Sequence, residues 1–357
     1  MAHYGDAKGE YRGLIYRSDA ALAEWLARKP PETVLDPGLP IIDPHHHLWD
    51  TPQRGLYFLP ELLKDTNSGH NIVSTVFLEC HAMYRKHGPE EMAPVGEIEF
   101  VRGIAAQAAS GNYGNCRVAE GIVGWADLML GARVRDTLEA QIEAGGGRFR
   151  GIRHGLAWDG ADAVGKFASR YVEPDRGRNP VFREGLAQLA KLNLSFESWQ
   201  YHPQLPGAIE LARAFPDTTM ILNHVGGVLG VGPYRGKRDE IVAEWRKNIA
   251  ELAKCPNMNV KLGGMGMASF GFDFHERDIP PSSEDLAAAW RQFVEPCIEA
   301  FGAERCMFES NFPPDKHSCG YNELWNAFKI LTKNASADEK KALFSGTAAR
   351  VYRLQVP

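Results

Sequence analysis

The feature that most constrains this chain is an alternation. Eight short apolar or β-branched runs, most closing on polar residues, are separated by stretches of helical periodicity. The runs cover residues 40–43, 72–80, 117–125, 149–154, 193–199, 218–224, 257–262 and 305–310. Between most of them apolar residues recur at helical spacing, as in Val134-Leu138-Ile142, Phe182-Leu186-Leu189, Ile209-Leu211-Ala214 and Ile241-Trp245-Ile249-Leu252. That spacing marks helices with one buried face. Strands that alternate with helices specify a parallel sheet. Eight such units predict a closed α/β fold, a (β/α)₈ TIM barrel, over an open doubly wound sheet. No GxGxxG follows the first run, which weakens a dinucleotide-binding reading further. A chain of 357 residues suits one barrel with insertions.

The first run begins near residue 41, so residues 1–40 read as an N-terminal extension packing on a single barrel of residues 41–357. The extension carries a helix-like segment at 20–27 followed by Pro30-Pro31. Long connections at 84–97, 159–180, 226–238, 263–284 and 312–321 all follow the ends of predicted strands. Barrel enzymes place their sites on that face, and loops of this length in a compact domain are usually functional.

Composition narrows the function classes. Forty basic residues against 45 acidic ones give a net charge of -5, with no Lys/Arg stripe, so nucleic-acid and anionic-membrane roles lack an electrostatic basis. No stretch approaches about 18 consecutive apolar residues, and the start lacks a charged-then-apolar leader pattern. Six cysteines without CxxC spacing read as free thiols of a cytoplasmic protein. A small-molecule substrate is the expected partner, with a homodimer the default assembly.

The first strand ends in Asp43-Pro44-His45-His46-His47-Leu48-Trp49. Side chains two apart share a strand face, so His45 and His47 point together and His46 points away. At the top of a barrel two convergent imidazoles suit a divalent metal; hydrogen-bonded structural histidines are the alternative. Glu197 lies inside an apolar strand, where it needs a basic partner. Trp199 and Tyr201 suit a pocket wall or plain core packing. Lys261 is a paired structural cation or a ligand for a substrate carboxylate. Arg148, Arg150 and Arg153 are read as alternating along the fourth strand and so sharing one face, with His154 on the other.

Taken together, Asp43-x-His45-x-His47-x-Trp49, Gly151-Ile152-Arg153-His154, Leu222-Asn223-His224-Val225-Gly226-Gly227, Val260-Lys261-Leu262 and Met307-Phe308-Glu309-Ser310-Asn311-Phe312-Pro313 resemble the amidohydrolase superfamily. Within it they are most similar to the group holding 2-pyrone-4,6-dicarboxylate lactonase and sugar-acid lactonases. The resemblance implies that His45 and His47 are metal or substrate ligands and that His224 is a further ligand or a donor to the scissile carbonyl. It also implies that the eighth strand ends in Gly-Ser-Asp-Trp-Pro with the Asp as base. Here the base position is Asn311, and an amide does not accept a proton near neutrality.

Glu309, two residues away and so read as sharing a strand face with Asn311, is the expected substitute, with an ion pair to an arginine as its structural alternative. Asp315, His224 and His317 are further candidates. A site bound to Zn²⁺ or Mn²⁺ and a metal-free site are both compatible with these residues. The expected activity is hydrolysis of a small, carboxylated cyclic ester by an activated water. Arg54, Arg150, Arg153, Lys261 and Arg235 would hold its anionic group, with His154, Glu197, Trp199 and Tyr201 lining the pocket. A decarboxylase of the same superfamily, or a barrel that binds without catalysis, are the alternatives.

Overall fold

A computed structural model describes residues 17–52, 54–165 and 173–355. Every apolar run becomes a strand, and the eight lie side by side in one sheet. They are β1 (Ile41–His46), β2 (Ile72–Leu78), β3 (Arg117–Gly124), β4 (Phe149–Arg153), β5 (Ser195–Ser198), β6 (Met220–Leu222), β7 (Met258–Leu262) and β8 (Cys306–Phe308). All seven neighbouring pairs are parallel. The circle closes beyond the end of β8. There Asn311 N–H donates to the His45 carbonyl at 3.0 Å and His47 N–H to that of Phe312 at 2.9 Å. The fold is therefore the (β/α)₈ barrel that the alternation predicts.

A helix follows each strand, from Leu59–Thr66 after β1 to Tyr321–Leu331 after β8. Their apolar stripes face the outside of the sheet. Phe182, Leu186 and Leu189 are fully buried at the spacing read from the sequence, as are Trp245 and Leu252. A two-stranded hairpin, Trp49–Thr51 with Gly55–Tyr57, follows β1 and was not legible beforehand.

The inside of the barrel is layered. At the N-terminal mouth Ile42, Val76, Val123, Ile221 and Met307 pack around Tyr352, which follows the terminal helix Thr347–Val351. Above them the filling turns polar, because Glu197, Lys261 and the strand ends beyond them point inward. Tyr352 joins the two layers, its hydroxyl donating to Glu197.

The described part of the N-terminal segment forms a helix at Asp19–Leu26, capped by Ser18. Trp25 is buried and donates its indole N–H to the Arg277 carbonyl at 2.8 Å. Lys329 donates to the carbonyls of Leu35 and Asp36 at 2.7 and 3.0 Å, which holds the segment along the last barrel helix. No helix among the described residues is long and apolar enough to cross a membrane.

Burial sets the acid response of this fold. It lowers the imidazoles of His70, His202 and His317 to about 4 and of His154 to about 3, from 6.5. Below 6.5 the unfolded chain takes up protons that the folded chain refuses. This contribution to stability is thus complete above that value and is lost as pH falls toward 4. Glu97, raised by burial to about 8, and Asp43, raised to about 6, act in the opposite sense. The lowered histidines outnumber such carboxyls, so the urea midpoint should drop between about pH 7.5 and about pH 5. An unchanged or higher midpoint at the acid value contradicts this balance.

Candidate active site

The site is a polar cup at the C-terminal ends of the strands, where side chains at and just beyond the strand ends converge. Glu309, one residue beyond β8, sits at its centre. Its Oε1 accepts from His224 Nδ1 at 2.7 Å, and its Oε2 lies 2.6 Å from His45 Nδ1. All three residues are buried, and their ligand atoms lie within 4.8 Å of one another. The two imidazole rings are 4.5 Å apart.

Two buried ion pairs frame this centre. Arg153, at the end of β4, donates from Nε to Glu79 Oε1 at 2.6 Å and from Nη2 to the Glu79 carbonyl at 2.8 Å. Its Nη1 reaches His45 Nε2 at 3.3 Å. Lys261 lies 3.1 Å from Glu197 and 3.3 Å from His45 Nδ1. Asn223 and Tyr352 donate to the same Glu197 carboxylate. Charges this deep persist only when paired and hydrogen-bonded, and each of these is.

The electrostatics keep the histidines neutral. Burial first, then Lys261 and the neighbouring histidines, push His45 well below the ordinary imidazole value. Burial lowers His224 too, with Glu309 pulling against it. Neutral imidazoles can accept a proton or ligate a metal. Although close to His45, Glu309 Oε2 is a buried oxygen without a properly directed hydrogen bond. A carboxylate oxygen so placed beside two neutral imidazoles is a donor set that fits a divalent cation. His45, His224 and Glu309 would hold it.

The sequence-derived residues separate on this frame. His47 lies with its ring 5.0 Å from that of His45 and stacked on Trp49. Its Nδ1 meets the Leu78 carbonyl at 2.9 Å, but it stands outside the His45, His224 and Glu309 group. Trp199 meets His224 edge-on at 4.9 Å and walls the cup. Tyr201 lies behind Trp199, in an apolar cluster with Leu229 and Val231. Arg54 packs over Trp49 and donates to the Cys80 carbonyl at 3.3 Å.

Four expectations are corrected. Arg150 is not in the cup: it donates to the carbonyls of Tyr352 at 2.5 Å and Gly147 at 2.6 Å, at the opposite mouth of the barrel. Arg153 is three residues from Arg150, so strand alternation separates their faces instead of uniting them. His154 is not a pocket-lining group: Leu128 N–H contacts its Nδ1 and Arg176 its Nε2, beside Phe182 and Trp125. Asn311 does not share the direction of Glu309, because its φ of 53° breaks the strand and turns its amide to Asp315. Arg235 is an exposed residue paired with Asp273.

Glu79 is the site residue that sequence reasoning missed. Its signal was present, since it is an acidic residue near the end of the apolar run at 72–80, as Arg153 is a basic one near the end of the run at 149–154.

A sequence model described as amidohydrolase matches residues 42–354. The uncharacterized protein y4mH of Sinorhizobium fredii is 33% identical over 338 residues, covering 88% of this chain and 98% of the relative. An L-fucono-1,5-lactonase of Burkholderia multivorans is 26% identical over 330 residues, covering 88% and 97%. A crystal structure of a Burkholderia multivorans amidohydrolase with bound zinc superposes with a TM-score of 0.66 at 22% identity, covering 88% and 99% of the two chains. At that identity the likeness speaks for the fold.

The Arg153–Glu79 pair generates a stability prediction. Arg153→Met leaves Glu79 buried without its cation and should cost about 3–5 kcal/mol in denaturant unfolding. A double variant, Arg153→Met with Glu79→Leu, should recover most of that loss. Equal losses in the single and double variants contradict the pairing.

Proposed function

Because the chain belongs to the amidohydrolase family, we propose that it hydrolyses a small lactone, adding water to the ring carbonyl in the cup of His45, His224 and Glu309. One observation carries the reading: a single buried carboxylate, hydrogen-bonded to His224, lies between two imidazoles at the barrel mouth. It replaces the carboxylate that Asn311 cannot supply.

The chemistry follows from the hydrogen bonds. His224 Nδ1–H donates to Glu309, which leaves the lone pair on Nε2. That nitrogen takes a proton from water as the oxygen attacks the carbonyl carbon, and the Glu309 carboxylate stabilises the imidazolium that forms. Arg153 and Lys261 place positive charge beside His45, where oxyanion charge develops. When the tetrahedral adduct collapses, the ring C–O bond breaks and the imidazolium returns its proton to the leaving alkoxide. Water and lactone become one hydroxy acid. A divalent cation held by His45, His224 and Glu309 would supply Lewis acidity and a more acidic water.

The charge arrangement favours an uncharged ring over the carboxylated one expected from the sequence. Arg153 and Lys261 are neutralised by Glu79 and Glu197, Arg150 and Arg235 are elsewhere, and Arg54 is held over Trp49 and on the Cys80 carbonyl. A substrate carboxylate would have to displace a buried partner, which costs more than it returns. The similarity to an L-fucono-1,5-lactonase supports the same class. A cytoplasmic setting belongs to the proposal, supported by six buried free cysteines.

Purified protein should hydrolyse a hydroxylated hexono-δ-lactone faster than a lactone dicarboxylate, as read by acid release. Glu309→Gln and His224→Ala should each lower kcat by roughly 10² or more. Release of CO₂ from aromatic acids with no lactone turnover would overturn the proposal.

A further inference from the structure

Asn311 stands where the resemblance places a base, yet its side chain turns away from the cup. Its backbone adopts a φ of 53°, a left-handed conformation that asparagine tolerates better than most residues. Its amide Nδ2 donates to Asp315 Oδ1 at 2.8 Å. The other oxygen, Oδ2, accepts from Gly266 N–H at 2.8 Å. Ser318 holds the same glycine from the other side, donating to its carbonyl at 2.5 Å. A chain of hydrogen bonds thus runs from the end of β8 to the loop after β7.

That loop presses on the reacting groups. A Cβ at Gly263 would collide with Cγ and the carbonyl of Glu309, and one at Gly264 with the His224 ring. Gly264 has a φ of 67°, so the turn is built for glycine on conformational grounds as well. The Gly263-Gly264 backbone therefore packs flat against both members of the His224–Glu309 hydrogen bond.

We propose that Asn311 is a positioning residue: acting through Asp315 and Gly266, it clamps the Gly263-Gly264 turn against the His224–Glu309 pair and fixes the imidazole's orientation. The position that carries the base in relatives by resemblance has here been given over to alignment of its substitute. A geometry misplaced by 1 Å is enough to cost catalysis about 10²-fold, so a clamp of this kind has a measurable consequence. The kinetic part of the inference rests on the lactone reading; the spectroscopic part does not.

The test uses three variants. Asn311→Gly keeps the left-handed backbone and deletes the donor. Asn311→Asp keeps the shape and sets a carboxylate against Asp315. Asn311→Asp with Asp315→Asn exchanges donor and acceptor, so the amide now donates from position 315 while its oxygen still receives Gly266 N–H. In histidine-labelled protein the His224 Nδ1–H resonance, identified by its loss in His224→Ala, should shift upfield or broaden in both single variants. It should return in the exchanged pair. On a hexono-δ-lactone the single variants should lose kcat by about 10- to 100-fold, the usual cost of an outer-shell partner, with KM within about 2-fold. The exchanged pair should regain most of it. If Asn311→Gly fails to fold, Asn311→Asp and the exchanged pair carry the comparison. An unaltered resonance in folded single variants overturns the clamp, as does an exchanged pair that folds without restoring the resonance. Absent lactone turnover with the expected resonance changes would overturn the reaction and leave the clamp standing.

Discussion

The structure turns on one carboxylate shared between two imidazoles. Glu309 meets His224 at 2.7 Å and His45 at 2.6 Å, and all three residues are buried. A buried carboxylate demands partners, and the partners here are held by their own dependencies. His45 is braced by Arg153, Arg153 by Glu79, Lys261 by Glu197, and Glu197 by Asn223 and Tyr352. The network reaches from the mouth of the barrel to the plug at its base. Such networks stabilise when complete and destabilise when one member is lost, which ties the shape of the site to the integrity of the fold.

The barrel was legible because its signals are local and repeated. β-branched runs a few residues long, with helical stripes between them, leave few other arrangements, and strands such as 117–124 and 258–262 fall within a residue of the predicted ends. Inward and outward faces were less legible, since they depend on an unbroken strand. The pairing of β1 with β2 shifts register between Asp43 and His46. Asn311 and His224 both take positive φ. Each break resets alternation, so a count along the strand does not predict where Asn311 points.

Glu309 was legible as a candidate substitute carboxylate, yet its neighbours were not. An arginine was its partner in the structural alternative, whereas the structure sets it between His45 of β1 and His224, just beyond β6. Long-range pairing of this kind depends on strand order and stagger that one sequence does not display. The same holds for Glu79 and Arg153, 74 residues apart in the chain. The local pattern did anticipate that Glu197 needs a cation, because an apolar strand offers a carboxylate nothing else.

The central claim is that His45, His224 and Glu309 form one site able to act on a bound group. Crystals grown with Zn²⁺ and measured at the zinc absorption edge test it directly. An anomalous peak should appear within about 2.0–2.3 Å of ligand atoms from all three residues. The peak should be lost in Glu309→Gln. Zinc found only elsewhere, or a Glu309 side chain turned out of the cup, would contradict it.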